Sequence, residues 1–354
     1  MAPLIELRGL TVEIPTPAGW IRPVDDVSFA LDPGESLGIV GESGSGKSMM
    51  ALALMGLLPP GARVRGEAWL ADSSDAGIST NGGRARVNLL QISERQRIAV
   101  RGRDIAMIFQ EPMTALNPVM RVGAQIAEAI EAHTTGLSRD EIDRRVAAAL
   151  ERAAVPEPAM RARQFPHQLS GGLRQRAMIA MALAAGATDR SNARNGESGA
   201  SSPNENHSSP RLLLADEPTT ALDVTVQKQI LDLLAQLRRD LGLALLFITH
   251  DLGVAAQVAD RIAVTYAGRI VEEGPAREVL QRPRHPYTAG LLRASPQLVR
   301  HKLEPIAGTV PSLTALPPGC AFEPRCPLRI SECTAKMPEL RAAGPEHRAR
   351  CILV

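Results

Sequence analysis

The chain has 354 residues, 44% apolar and 22% charged, with a formal net charge of +2. That length allows one large domain plus a smaller one, and the near-neutral balance argues against nucleic acid or an acidic substrate as the main partner. No apolar run approaches the roughly 18 residues that a membrane span needs, and the start Met1-Ala2-Pro3-Leu4-Ile5-Glu6 has no basic stretch ahead of a long apolar core, so the chain is expected to stay in the cytoplasm.

Leu4–Glu13 and Val24–Leu31 carry β-branched and apolar residues broken by Pro and Gly, which predicts a small β-layer. Trp20 lies between them, and either stacks on a purine base or packs on a loop. Leu37–Val40 reads as a short buried strand and Met49–Met55 as a helix. The eight residues between strand and helix are Gly41, Glu42, Ser43, Gly44, Ser45, Gly46, Lys47 and Ser48. Glycines let successive N–H groups turn inward into a concave anion site, to which the helix N-terminus adds its partial positive charge. A phosphate chain fits there, with Lys47 reaching the β- and γ-phosphates and the Ser48 hydroxyl holding Mg²⁺. Only four lysines occur, at 47, 228, 302 and 336, so an arginine-rich chain has kept an ammonium at this position.

Asp72–Arg86 has no period and reads as a surface loop. Ile105–Phe109 is another buried strand, which places Gln110 at a C-terminal strand edge, where α/β proteins carry functional side chains. From Val122 to Arg163 the pattern is helical, with a capping box at Ser138 and Glu141 and an apolar face of Ile142, Val146, Leu150 and Ala153. Leu169–Arg176 begins a further helix; Ser170, Gly171 and Gly172 form either a second anion-binding tip or an ordinary N-cap. Thr188–Pro210 is polar enough to be disordered or a mobile loop. Arg211–Pro218 is a buried strand ending in Asp216 and Glu217, and Leu243–Thr249 is one ending at His250. Asp216 is suited to Mg²⁺ and Glu217 to taking a proton from an attacking water. For His250 the alternative is a satisfied core histidine.

These segments, in this order, resemble the nucleotide-binding domain of ABC transporters, over residues 1 to about 275. The resemblance makes Gly41–Ser48 the Walker A loop, Gln110 the Q-loop that meets Mg²⁺ and the attacking water, Leu169–Arg176 the signature, Leu212–Pro218 the Walker B strand, Ala221-Leu222-Asp223 the D-loop and His250 the switch histidine. The runs Phe109–Pro118, Ala215–Gln227 and Arg284–Thr288 look more narrowly like the oligopeptide, dipeptide and nickel importers. The implied fold is an α/β P-loop NTPase with an antiparallel β subdomain, an inserted helical subdomain over about 94–186, a polar insertion at 188–210 and a C-terminal extension over 276–354. The implied function is an ATPase subunit energising import of di- or oligopeptides, peripheral on the cytoplasmic face of the inner membrane. Its implied partners are two permease subunits, an external substrate-binding protein and a second ABC ATPase subunit, a paralogue or a second copy, in a head-to-tail dimer. Across that dimer, ATP on Lys47 would be closed by Ser170, Gly171 and Gly172 of the other subunit, with Asp223 alongside. Nickel, glutathione or other peptide-like cargo, and a soluble ABC ATPase unconnected to transport, are the competing readings. The resemblance departs at Ala18, which stands where an adenine-stacking aromatic is usual, so Trp20 is the remaining aromatic there.

All four cysteines fall in the extension, at 320, 326, 333 and 351, with spacing C-x5-C-x6-C-x17-C. That spacing is looser than a zinc ribbon's and by itself leaves metal ligands and free thiols open. The resemblance to peptide-importer ATPases with such a tail implies a 4Fe–4S cluster on Cys320, Cys326, Cys333 and Cys351, ahead of zinc or free thiols.

Overall fold

Alternating apolar residues along the first thirty positions bury one face of two long strands, β1 (Ile5–Thr16) and β2 (Gly19–Leu31). Leu7, Leu10 and Val12 of β1 and Val24, Val27 and Phe29 of β2 form that face. Register shifts near Leu7–Leu10 bulge β1, which bends it. Trp20 lies inside β2 rather than on a loop, because the turn is only two residues long. β3 (Ser36–Val40), buried throughout, leads through the glycine loop into α1 (Lys47–Met55). β4 (Arg63–Ala71) and β5 (Arg86–Asn88) complete a four-stranded sheet of order β2-β1-β4-β5. This computed structural model describes residues 2–71, 86–185, 209–296 and 304–354; of the loop predicted over 72–86, residues 72–85 lie outside them and Arg86 opens β5, and the body of the polar insertion also lies outside them.

The chain divides into two compact units, Met1–Ile92 with Leu246–Val354, and Ser93–Leu245. In the second unit α2 (Glu94–Val100), β6 (Ile105–Ile108), α3 (Pro112–Ala115), α4 (Val122–Glu131), α5 (Arg139–Arg152), α6 (Pro158–Ala162) and α7 (Gly171–Ala184) follow in order. Ile142, Val146 and Leu150 bury the predicted face of α5. Its capping box forms only halfway: Ser138 accepts from the Glu141 N–H at 3.3 Å, while the Glu141 carboxylate pairs forward with Arg145 at 2.9 Å. After β7 (Leu212–Asp216), parallel to β6, come α8 (Val224–Leu241) and β8 (Ala244–Thr249), which returns the chain to the first unit.

There α9 (Leu252–Val258), β9 (Arg261–Tyr266), β10 (Arg269–Pro275), α10 (Ala276–Gln281) and α11 (Pro286–Ala294) precede a tail that ends in the hairpin β11 (Arg341–Gly344) and β12 (His347–Ala349). The first unit's share of the large sheet has the order β11-β12-β10-β9-β3-β8. β9 is parallel to β3, Leu37 opposite Arg261 and Val40 opposite Val264, whereas β10 and β12 join antiparallel. The extension therefore adds strands to the same sheet that carries the glycine loop. Buried Glu272 locks this junction, accepting from the N–H groups of Arg284 and His285 at 2.8 Å each and bonding His347 Nε2 at 2.7 Å. Tyr266, Tyr287 and Phe322 pack edge to face beside it, ring centroids 4.6–5.3 Å apart. Each is 2% exposed or less, burial that contributes roughly 1.5–3 kcal/mol per side chain.

A phosphate cradle, an oriented carboxylate and a cysteine pocket

The cradle is built by backbone geometry that only glycine tolerates. Gly46, the N-cap of α1, has φ 94°, and a Cβ there would lie 1.6 Å from the Pro23 carbonyl oxygen. Gly44 has φ 80° but open space around it. Lys47, 5% exposed, folds its Nζ into the loop and donates to the carbonyls of Gly41 at 2.7 Å and Glu42 at 3.0 Å. Ser45 bonds Thr265 across to β9, Oγ to Oγ1 3.1 Å. Ser43 and Gly44 are exposed at the loop tip, and Ser48 is half-buried in the first turn of α1. Glu42 is held twice from outside the loop: its N–H donates to the Tyr287 hydroxyl at 2.9 Å, and its carboxylate takes both terminal nitrogens of Arg325 at 2.8 and 3.1 Å. His250, just past β8, is exposed, which removes the core-histidine alternative. Trp20 is 44% exposed, and one face of its ring is covered by the Arg63 guanidinium 4.0 Å from the centroid, so that face is not open to a base.

In the second unit the β6–β7 register pairs Ile108 with Ala215. Gln110 and Glu217 each stand two residues beyond that pair, and Gln110 Nε2 donates to Glu217 Oε2 at 3.4 Å. Thr220 Oγ1 donates to the same oxygen at 2.8 Å. Glu217 is 8% exposed and its φ is 44°, a left-handed conformation that costs a non-glycine residue roughly 1–2 kcal/mol. Strain of this kind at a buried carboxylate marks a position whose direction matters. Asp216 precedes it, 4% exposed. Ser170 N-caps α7 by accepting from the Leu173 N–H at 3.4 Å, and Ser170 and Gly171 are exposed at the tip. A Cβ on Gly172 would lie 2.7 Å from Val226 Cγ1, so this glycine permits the close approach of α7 to α8. Asp223 N-caps α8 through the Val226 N–H at 2.9 Å.

The four cysteines of the extension line one cavity of about 20 Å³ together with His285 and Phe322. That volume admits about one water. None of the four is in a disulfide. Burial pushes Cys320 up to about 11, and raises Cys326 and Cys351 above the ordinary thiol value. As the side chains stand, no three His, Cys, Asp or Glu residues among the described ones form a metal-ligating group. Sequence reasoning missed Thr220, Arg325 and Tyr287 as parts of these sites. A threonine three residues after Glu217 is a visible signal, and Tyr287 falls within the Arg284–Thr288 run; Arg325 carries none beyond its place beside Cys326.

The family profile described as ABC transporter matches residues 24–188, and that described as oligopeptide/dipeptide transporter, C-terminal region, matches 271–333. A protein of Brucella ovis described as a peptide import ATP-binding protein is 45% identical over 358 residues, 99% of this chain and 97% of that one. An oligopeptide transport ATP-binding protein of Salmonella typhimurium is 44% identical over 350 residues, 98% and 93% of the two chains. Among solved structures, an ATP-binding cassette in a dimeric post-hydrolysis state bound to ADP and Pi aligns with TM-score 0.60 and 26% identity, covering 77% of this chain and 99% of that one. Among the described residues, no helix is long and apolar enough to cross a membrane.

Proposed function

Because the chain belongs to the ABC transporter ATP-binding proteins with an oligopeptide/dipeptide-type C-terminal region, we propose that it is the ATP-hydrolysing subunit that energises peptide import through a membrane transporter. The observation that carries the catalytic assignment is the Glu217 carboxylate, buried, strained and oriented by Gln110 and Thr220. Lys47 and the N–H groups of Gly44–Ser48 hold the β- and γ-phosphates, as an ammonium and backbone donors at a helix N-terminus do. Ser48 and Asp216 supply the hard oxygen ligands that Mg²⁺ prefers, and the ion when bound neutralises charge on the phosphates. Glu217 takes the proton of the attacking water, and a carboxylate oxygen already accepting two bonds keeps its remaining lone pairs aimed. Gln110 reports the state of this site to the helices of its unit, and His250, exposed past β8, contacts the γ-phosphate.

The exposed tip of α7 suits a second subunit's nucleotide. Ser170, Gly171 and Gly172 donate to the γ-phosphate bound by a neighbouring ATPase chain, and Asp223 lies at the same junction. The assembly is then a head-to-tail pair of ATPase subunits, self or paralogue, on two permeases fed by an external binding protein at the inner membrane's cytoplasmic face. Nickel, glutathione and other peptide-like cargo fit the same engine. In the extension, the four thiols facing one cavity are a donor set that a 4Fe–4S cluster accepts, and zinc is the second candidate. Iron and acid-labile sulfide in anaerobically purified protein test it; a colourless, iron-free protein with four titratable thiols rejects the cluster.

Glu217→Gln tests the catalytic assignment. The variant is expected to retain ATP and to accumulate as an ATP-bound pair in size-exclusion chromatography. Turnover at the normal rate would remove Glu217 from the role of base.

A further inference from the structure

The glycine loop carries an anomaly: an acidic residue, Glu42, sits second in a segment built to bind anions. Its backbone belongs to the cradle, since its carbonyl accepts from Lys47 Nζ at 3.0 Å and from the Ser45 N–H at 3.2 Å. Its carboxylate therefore stays close to any phosphate the loop holds. The counter-charge comes from 283 residues away, where Arg325 of the extension grips both carboxylate oxygens in a fork. The Arg325 side chain is 6% exposed, and its Nε donates to the Ala307 carbonyl at 3.0 Å while Nη1 reaches the Tyr266 hydroxyl at 3.3 Å. Two partners outside the loop thus fix the guanidinium. Its neighbours in sequence, Phe322 and Cys326, line the cysteine cavity.

We propose that Arg325 is a positioning residue for nucleotide binding: the cysteine-bearing extension supplies the charge that neutralises Glu42 and makes the loop fit for a polyphosphate. This rests on the ATP-binding reading above and deepens it. Removing the guanidinium leaves an unpaired carboxylate in a partly buried place beside the phosphates, which disfavours the ligand in proportion to its negative charge.

The test uses the full chain, with magnesium and N-methylanthraniloyl derivatives of ADP and ATP as fluorescent probes. Arg325→Gln is expected to weaken binding about tenfold, and more for the triphosphate than for the diphosphate. Adding Glu42→Gln to that variant is expected to recover most of the loss, because the charge that needed neutralising is gone. Arg325→Lys, which keeps the charge without the fork, should lose less than Arg325→Gln and serves if the glutamine variant is unstable. Wild-type affinity in Arg325→Gln overturns the proposal, as does a double variant no better than the single one; the latter would mean that packing, not charge, was lost. If the wild-type chain binds neither probe, the ATP reading fails first; if it binds both and the variants match it, only the Arg325 assignment fails.

Discussion

Thr220→Val removes one hydroxyl and leaves the shape of the side chain nearly unchanged, which makes it a clean probe of how Glu217 is aimed. Thr220 Oγ1 donates to Glu217 Oε2 at 2.8 Å, whereas Gln110 Nε2 stands farther from the same oxygen, at 3.4 Å. Hydrogen bonds to charged groups contribute about 1.5–3 kcal/mol, and the half-buried setting of Thr220 favours the lower end. About 1.5 kcal/mol corresponds to roughly a tenfold fall in rate. Because the bond orients the base and does not touch the phosphate cradle, the loss should appear in kcat, with KM for ATP changed less than twofold. Steady-state ATPase assays on the assembled transporter, with phosphate release followed at saturating and sub-saturating ATP, give both parameters. An unchanged kcat, or a rise in KM with kcat intact, would refute the assignment of Thr220 to orientation of Glu217.

Gly46→Ala and Gly44→Ala should behave differently although both glycines have positive φ. The first drives a Cβ to 1.6 Å from the Pro23 oxygen and should cost on the order of 4 kcal/mol in denaturant unfolding, whereas the second meets open space and should cost about 1–2 kcal/mol. His285 is held down to about 3 by burial, so it stays neutral when folded and binds a proton when unfolded. Its contribution is therefore intact above about pH 6.5 and declines as the pH falls, by about 2 kcal/mol between pH 6.5 and 5. In His285→Asn, which retains an N-cap for α11, the stability lost over that interval in urea titrations should be smaller by about that amount; equal losses would contradict the buried neutral state.

The strand, loop and helix around Lys47 were legible because glycine spacing and apolar runs are local signals, and the same holds for Asp216 and Glu217 at the end of β7. The side-by-side placement of Gln110 and Glu217 was half legible. Each could be put at a strand end, but their contact depends on β6 and β7 being parallel in one register. The Arg325–Glu42 pair was illegible, since nothing local distinguishes one of many arginines and 283 residues separate the partners. The same applies to β11 and β12: two short segments of modest β propensity become strands because β10 offers an edge and Glu272 a partner for His347. Of the two readings open for Trp20, the loop one fails because a two-residue turn leaves almost no loop to stand on. Cysteine spacing could not show that all four thiols face one cavity, because the tail reaches it through irregular segments with no period to follow.

Peptide uptake into proteoliposomes that contain the chain with its permeases and binding protein, measured with ATP and magnesium on the ATPase side, tests the central claim most directly. The wild-type assembly should accumulate labelled peptide with ATP consumed, and Glu217→Gln should bind ATP while doing neither. Uptake that proceeds without ATP, or at the wild-type rate in the glutamine variant, would contradict the account.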